Sequence, residues 1–143
     1  MKYLGLDIGE KKIGVAESES GILATPLPPL QMSEKFLFEL GKIIEDRLPE
    51  KIIFGLPKHQ DGSENQLAAE IRQLAEVVKG EFNVEVDFAD EYGTTVEAER
   101  RLRVAGVNPR ELSRYDDSMA AVVILEHYFE DNPQKNKNEK GEG

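Results

Sequence analysis

Three acidic residues stand where a carboxylate could take part in catalysis. Asp7 ends a short apolar run, Glu91 follows an alternating run, and Asp117 precedes an apolar stretch. Hard divalent cations such as Mg²⁺ prefer oxygen ligands. Two such ions about 3.5–4 Å apart can stabilise both the attacking water and the leaving oxygen when a phosphodiester is hydrolysed. If the chain folds so that these three carboxylates meet, they would suit that chemistry.

Each of these acids also fits an ordinary structural role. Asp7 could be a turn residue before Gly9. Glu91 could be favoured by the positive end of a following helix, and Asp117 could cap a helix N-terminus. Taken one at a time, the acids fit these roles better than a catalytic one, so local pattern alone does not predict a site.

The amino-terminal part of the chain predicts an antiparallel meander of three strands. Strands are expected over 2–7, 12–18 and 21–25, with the first turn at Gly9. Proline lacks the N–H that a central strand needs. The third strand is therefore expected to end at the prolines that follow it, Pro26, Pro28 and Pro29.

The middle of the chain predicts alternating helices and strands. Four elements are expected, in order a helix from Ser33 to Leu48, a strand over 51–54, a helix that opens at Ser63, and a strand from Val84 to Asp90. Ser33 is a candidate N-cap. Ser63 with Gln66 forms a capping box.

The carboxyl-terminal part predicts two helices joined by a loop. A helix is expected over 94–105 and an arginine-bearing loop over 106–115. Asp116 or Asp117 would then cap the last helix. The run 120–125 is apolar on every side, which predicts that this helix is buried.

The order β-β-β-α-β-α-β-α-α predicts an α/β fold. Its central sheet would be mixed, with the antiparallel meander joined to parallel strands and with helices on both faces. In such sheets, sites form beyond the carboxyl ends of the strands. Asp7 and Glu91 would meet there if their strands are neighbours, and a helix N-terminus could bring in Asp117.

Positive charge is concentrated in one segment of an acidic chain. The net charge is −10, from 28 acidic and 18 basic residues. Taken alone, this argues against binding to nucleic acid, because that affinity comes largely from Lys and Arg at phosphates. Five of the seven arginines nevertheless lie close together: Arg100, Arg101, Arg103, Arg110 and Arg114. They form either a solvated helix face with a loop or a surface for nucleic acid.

Composition excludes several classes of protein. The chain has no cysteine, which excludes disulfides, thiolate zinc sites and a cysteine nucleophile, and which suits the cytoplasm. The amino-terminal run, which ends at Asp7, meets a charge too soon for a signal peptide. No run approaches the roughly 20 apolar residues that span a bilayer. We expect a cytoplasmic domain over 1–131 with no membrane partner, then a disordered polar tail over 132–143.

Four motifs, taken in order, resemble those of the YqgF/RuvX family. They are Leu-Gly-Leu-Asp-Ile-Gly-Glu-Lys-Lys-Ile-Gly-Val-Ala at 4–16, Gly55-Leu56-Pro57 with Asp61-Gly62-Ser63, Asp90-Glu91 with Thr94-Thr95, and Asp117-Ser118-Met119-Ala120-Ala121 with Ile124-Leu125. Each motif is short. The set in family order covers nearly the whole chain except the tail.

The resemblance implies an RNase H-like fold, related to Holliday junction resolvases, and a hydrolase that trims pre-16S rRNA at its 5′ end during ribosome biogenesis. Some members of the family are described as resolvases of branched DNA. Asp7, Glu91 and Asp117 match the acidic catalytic positions. By the same resemblance, Asp7 would bridge two Mg²⁺ or Mn²⁺ ions, and the other two acids would each bind one.

The resemblance also implies the partners. These are structured nucleic acid, either precursor rRNA or branched DNA, and a ribosomal subunit precursor, with the chain acting as a monomer or as a homodimer. Lys11, Lys12 and the arginines of 100–114 are the candidate phosphate contacts. The chain departs from the family pattern at Tyr92, where an arginine is usual. Tyrosine lacks the bidentate guanidinium, so substrate contact beside Glu91 is in question.

Two other interpretations remain open at this point. The chain could be a non-catalytic module that binds nucleic acid or the ribosome, which Tyr92 and the acidic net charge would suit. It could also be an ATP-handling protein of the actin-like superfamily, whose phosphate loop follows a similar strand-Asp-x-Gly pattern. Such proteins use two domains around a cleft, and this chain has room for one.

Overall fold

The computed structural model describes residues 2–57, 63–90 and 109–133, with the backbone alone described over 109–117. Its elements are β1 (Tyr3–Ile8), β2 (Lys12–Ser18), β3 (Thr25–Gln31), α1 (Phe36–Arg47), β4 (Lys51–Leu56), α2 (Gln66–Phe82), β5 (Glu85–Asp90) and α3 (Pro109–Asp131). The helix expected over 94–105, Asp61 and Gly62 of the second motif, and the expected tail from 134 onward lie outside the described residues.

The strands form one mixed sheet in the order β3-β2-β1-β4-β5. β1 pairs with β2, and β2 with β3, in the antiparallel sense. β1 pairs with β4, and β4 with β5, in the parallel sense. The expected sheet, an antiparallel meander joined to parallel strands, is therefore confirmed.

Side chains from the two faces of the sheet enter two separate apolar cores. Successive residues of a strand point to opposite faces. Leu4, Leu6 and Phe54 pack with buried residues of α1 and α2. Tyr3, Ile53 and their neighbours pack instead with buried residues of α3. Helices therefore cover both faces, as the order of elements predicted.

The predicted third strand is wrong in its position. We expected it over 21–25, ended by three prolines, whereas β3 runs from Thr25 to Gln31 and contains those prolines. The physical reason is its place in the sheet. β3 is an edge strand of the described sheet, where one side of the backbone needs no donor, and proline is accepted there.

The predicted starts of α1 and α2 are also wrong. Ser33 does not cap α1; its hydroxyl accepts from the N–H of Lys35 in the preceding turn. Ser63 is not the N-cap of α2: Asn65 occupies that position, and its side chain accepts from the N–H of Ala68 at 3.0 Å. Asn is at least as good an N-cap as Ser.

The predicted start of the last helix is wrong as well. Helix α3 begins at Pro109, inside the expected loop over 106–115, so Asp116 and Asp117 are interior residues of the helix rather than caps. Proline is favoured at the first helical position, and the Arg, Glu and Leu residues that follow are good helix formers. The expected burial of 120–125 is confirmed.

The carboxyl-terminal part of α3 is fixed to the sheet by aromatic side chains. The ring of Tyr3 lies 5.0 Å from that of Phe129, edge to face. The hydroxyl of Tyr128 donates to Asp87 at 2.7 Å and accepts from the ammonium of Lys51 at 3.3 Å. Burial and the hydrogen bond to Asp87 raise the pKa of Tyr128 well above its ordinary value of 10.0.

This raised pKa predicts a stability that falls in alkali. Since the unfolded chain releases the proton of Tyr128 first, the contribution of this group is fully present below about pH 10 and is lost as the pH rises above it. Tyr128→Phe should lower the free energy of unfolding by about 1.5–3 kcal/mol at neutral pH, because it removes a hydrogen bond to a charged group. That deficit should shrink above about pH 10. Urea denaturation of both proteins at neutral pH and above about pH 10 measures this deficit in the free energy of unfolding. A deficit that stays constant with pH would contradict the role given to Tyr128.

Candidate active site

Asp7 lies at the edge of the sheet where the three parallel strands end. We call this the carboxyl edge, formed by the last residues of β1, β4 and β5, which are Ile8, Leu56 and Asp90. Asp7 is the residue before Ile8, is half-buried, and pairs across the ladder with Gly14 of β2. It therefore stands where sites form in sheets of this kind.

The strands that carry Asp7 and Glu91 are not neighbours, so that expected arrangement is not met. β4 lies between β1 and β5, and Leu6, Phe54 and Phe88 are level across the three strands. Two strand spacings separate β1 from β5 by roughly 10 Å. Glu91 follows Asp90 in the chain and lies outside the described residues. A gap of this size leaves room for ions between the side chains.

Helix α3 runs antiparallel to β1 and in close contact with it. Tyr3, at the start of β1, packs on Phe129. Two residues further along β1, a Cβ added at Gly5 would lie 2.6 Å from Leu125 Cγ and 3.1 Å from the carbonyl oxygen of Ala121. The backbones approach this closely only because residue 5 has no side chain. The amino-terminal half of α3 therefore points towards the carboxyl edge.

This packing brings helix position 117 towards Asp7. Asp7 follows Gly5 by two residues on the same face of β1, a rise of about 7 Å. Position 117 precedes Ala121 by one helical turn on the same side of α3, a rise of about 6 Å in the matching direction. Asp117 thus belongs to the turn of α3 beside Asp7, although its side chain lies outside the description.

Ser118 was not predicted as a site residue, and it lies at the junction of α3 with the sheet. Its side chain is buried, at 1% exposure. Its hydroxyl accepts from the N–H of Val15 at 3.3 Å and donates to the carbonyl of Leu27 at 2.6 Å. The one sequence signal was its place as a polar residue between Asp117 and an apolar run.

Lys11 and Lys12 lie in and beside the hairpin that joins β1 to β2, at the carboxyl edge. Both are exposed. The N–H of Gly9 donates to the carbonyl of Lys12 at 3.0 Å, and a Cβ added at Gly9 would lie 2.7 Å from that oxygen. The hairpin therefore requires glycine at this position, and it presents two cations close to Asp7.

The predicted arginines are only partly within the description. Arg110 and Arg114 belong to the first two turns of α3, on the amino-terminal side of position 117. At 1.5 Å per residue, the helix extends about 10 Å beyond that position to Arg110. Arg100, Arg101 and Arg103 lie outside the described residues. The backbone thus carries two of the five arginines past the carboxyl edge.

Arg72 is a cation that the sequence did not single out. It makes two hydrogen bonds to Glu64, at 3.0 and 2.6 Å, and its guanidinium lies 4.9 Å from the ring centre of Phe88. The hydrogen bond to Glu64 raises the pKa of Arg72. This pair fixes the start of α2 against β5 beside the carboxyl edge.

The described side chains form no group of three or more His, Asp or Glu residues that could hold a metal ion. Two of the three predicted ligands, Glu91 and the side chain of Asp117, lie outside those described. Among the described helices, none is long and apolar enough to cross a membrane.

The sheet order, with α3 laid antiparallel across β1, is that of the RNase H-like fold class. Two structures of RuvC from Thermus thermophilus share this fold. One, in complex with a Holliday junction substrate, aligns with a TM-score of 0.57 at 16% identity over 94% of this chain and 97% of RuvC. The other aligns with a TM-score of 0.56 at 14% identity over 92% and 96%.

The sequence defines the family within this class. A family model described as "RuvX: Holliday junction resolvase" matches residues 1–131. A protein of Lactococcus lactis is 37% identical over 134 residues, which is 90% of this chain and 94% of the relative. One of Lactobacillus gasseri is 40% identical over 137 residues, 91% and 96%. Both are named "Putative pre-16S rRNA nuclease".

The chain therefore belongs to the RuvX family of nucleases. The family and the fold that the four ordered motifs implied are confirmed. The individual site residues stay predictions, because neither the family model nor the relatives assign roles to them.

The contact at Gly5 can be tested by adding one methyl group. Gly5→Ala should lower the free energy of unfolding by about 1–3 kcal/mol, because a well-packed contact between α3 and β1 becomes overpacked. Urea denaturation measures the effect. Gly80→Ala is the matched control: Gly80 is exposed in α2 with nothing within 4 Å of an added Cβ, so stability should rise by about 0.5–1 kcal/mol. A neutral Gly5→Ala would contradict the close approach.

Proposed function

We propose that this chain is a metal-dependent endonuclease that cleaves precursor 16S rRNA at the carboxyl edge of its sheet. The observation that carries the proposal is the docking of α3 on β1 at Gly5, which brings helix position 117 towards Asp7. Family membership and the names of the relatives support the reaction and the substrate.

The donor set fits a hard divalent ion. Asp7, Glu91 and Asp117 would supply carboxylate oxygens only, and the chain has no cysteine. Oxygen ligands of this kind suit Mg²⁺ or Mn²⁺. Carboxylates brought this close repel one another, so the set is favoured when cations lie between them. When bound, two such ions would activate water and stabilise the leaving oxygen.

The three acids would have different roles. Asp7, half-buried at the end of β1, is held by its ladder pairing with Gly14 of β2 and would bridge the two ions. Glu91 and Asp117 would approach from β5 and α3, each holding one ion and orienting the attacking water. Glycine at position 5 keeps the strand and the helix that carry Asp7 and Asp117 at a fixed distance.

The cations near the carboxyl edge would bind the phosphates of the substrate. Lys11 and Lys12 lie on the hairpin side, and Arg110 and Arg114 lie on the part of α3 that extends past position 117. The arginines at 100, 101 and 103 would add to this surface. With a net charge of −10 on the whole chain, such a surface would orient an approaching nucleic acid.

The setting of the reaction follows from its substrate. Precursor rRNA would be met as part of a ribosomal subunit precursor, and the chain would then act in the cytoplasm. One carboxyl edge would bring all three acids together, so a monomer would be sufficient for cleavage. The domain over 1–131 would carry the activity.

A second candidate substrate is branched DNA. The family model carries the description Holliday junction resolvase. Because a four-way junction has two-fold symmetry, a resolvase would act on it as a homodimer. The two candidates share the same acids and differ in substrate and in the number of chains.

Asp7→Asn should lower cleavage of precursor 16S rRNA by at least about 100-fold. Mutation of a group that only supports a metal ligand already lowers metal affinity or activity by 10–100-fold, and Asp7 would be a ligand itself. Binding of the RNA should persist, because the phosphate contacts remain. The assay compares precursor rRNA with a four-way DNA junction, each with Mg²⁺ and with Mn²⁺. Asp46→Asn removes an equal charge from an exposed site on α1 and should leave cleavage unchanged.

The outcomes of this assay separate the alternatives. Cleavage of the junction alone would favour branched DNA as the substrate. Cleavage of neither, with the nucleic acid still bound, would favour a binding module that lacks turnover. Full activity of Asp7→Asn would refute the site.

Lys11→Ala combined with Lys12→Ala should weaken the salt dependence of RNA binding. Each phosphate contact contributes roughly 0.7–0.9 to the slope of log K against log salt. Losing two should therefore reduce the slope by about 1.4–1.8. Lys2→Ala with Lys79→Ala is the control with the same net charge change, because both lysines are exposed at the opposite edge. Equal slopes for the two double variants would show that the hairpin does not contact phosphate.

A further inference from the structure

The Ser118 hydroxyl joins α3 to β2 and β3, the second and third strands of the meander, at a single point. Val15 of β2 and Leu27 of β3 are partners in the ladder. Ser118 takes a hydrogen bond from the N–H of Val15 at 3.3 Å and gives one to the carbonyl of Leu27 at 2.6 Å. One side chain of the helix is thus bonded to both backbones of this pair.

The ladder is irregular where Ser118 meets it. Ile13 pairs with Leu30 and Val15 pairs with Leu27, so β3 carries one extra residue between these pairs. The two residues that lie there on β3, Pro28 and Pro29, have no N–H to donate. A hydroxyl that both donates and accepts suits this point, since buried backbone groups without partners are costly.

A short covalent and hydrogen-bonded path links Ser118 to both ends of the candidate site. Ser118 is the next residue after Asp117. Its partner Val15 is the next residue after Gly14, which is the ladder partner of Asp7. The turn of α3 that carries Asp117 is therefore fixed on one side by Ser118 and, one turn later, by the contact of Ala121 with Gly5.

We propose that Ser118 is a positioning residue for the metal site: its hydroxyl holds Asp117 at the distance from Asp7 that a divalent ion requires. The inference rests on the proposed function, because it needs those two acids to share an ion. Small displacements of ligands are costly in such sites; supporting groups around metal ligands change affinity or activity by 10–100-fold.

A purely structural role is the competing explanation. In that case Ser118 would only help to dock α3, and its loss would lower stability without changing metal affinity. The chain offers a matched control on the same helix. The hydroxyl of Tyr128 is also hydrogen-bonded to the sheet, at Asp87, but it lies near the other end of α3, away from position 117.

The experiment measures Mn²⁺ binding by titration calorimetry on the full chain, with urea denaturation of each variant alongside. Ser118→Ala should raise the dissociation constant for Mn²⁺ by about 10-fold or more. Ser118→Cys keeps the size but weakens both hydrogen bonds, so it should give an intermediate constant and remain folded if the alanine variant does not. Tyr128→Phe should lose stability and keep the wild-type constant within about two-fold.

The same variants should affect kcat and KM for cleavage differently. Ser118→Ala should lower kcat and leave the KM for precursor rRNA unchanged, with activity partly restored at high Mn²⁺. Wild-type Mn²⁺ affinity in both Ser118 variants, or an equal loss in Tyr128→Phe, would overturn the proposal.

The calorimetric result does not depend on turnover. A wild-type chain that binds Mn²⁺ through Asp7 but cleaves neither nucleic acid would refute the proposed function and leave the role of Ser118 to be decided by the Mn²⁺ constants. A wild-type chain that binds no Mn²⁺ would overturn the role of Ser118.

Discussion

The contact of α3 with β1 at Gly5 is the constraint on which the rest of this structure depends. A helix can approach a strand this closely only where the strand has no side chain, and a Cβ at this position would lie 2.6 Å from Leu125 Cγ. The contact fixes the height of α3 above the sheet. The aromatic packing at Tyr3 and the hydroxyl of Ser118 then fix its direction and its displacement along β1. Together these contacts bring a turn of the helix to the residue where β1 ends.

Patterns of apolar residues predicted the sheet and its two covered faces well. The alternation in β5 and the continuous apolar runs of β1 and β4 are strong signals because burial depends directly on them. The four ordered motifs predicted the family. These features involve many residues at once, so a local error in one element does not change the result.

Boundaries and relative positions were predicted less well, for reasons that lie in tertiary structure. Prolines like those of β3 would interrupt a central strand. β3 lies at an edge of the described sheet, and nothing in the local sequence shows this. Asp117 was expected as a helix cap because it precedes an apolar run, whereas Pro109 starts the helix two turns earlier. The sequence does not show the order of the strands in the sheet, so it did not predict that β4 lies between β1 and β5. Ser118 was missed because its partners, Val15 and Leu27, are about 100 residues away in the chain.

The prolines of β3 also limit how copies of this chain could assemble. Exposed edge strands are the usual place where sheets of two molecules join, because their free N–H and C=O groups can pair. Pro26, Pro28 and Pro29 leave this edge with few donors, so a continuous sheet through two β3 strands is disfavoured. A symmetric pair would instead have to meet through β5, at the other edge of the described sheet, or through helices or loops.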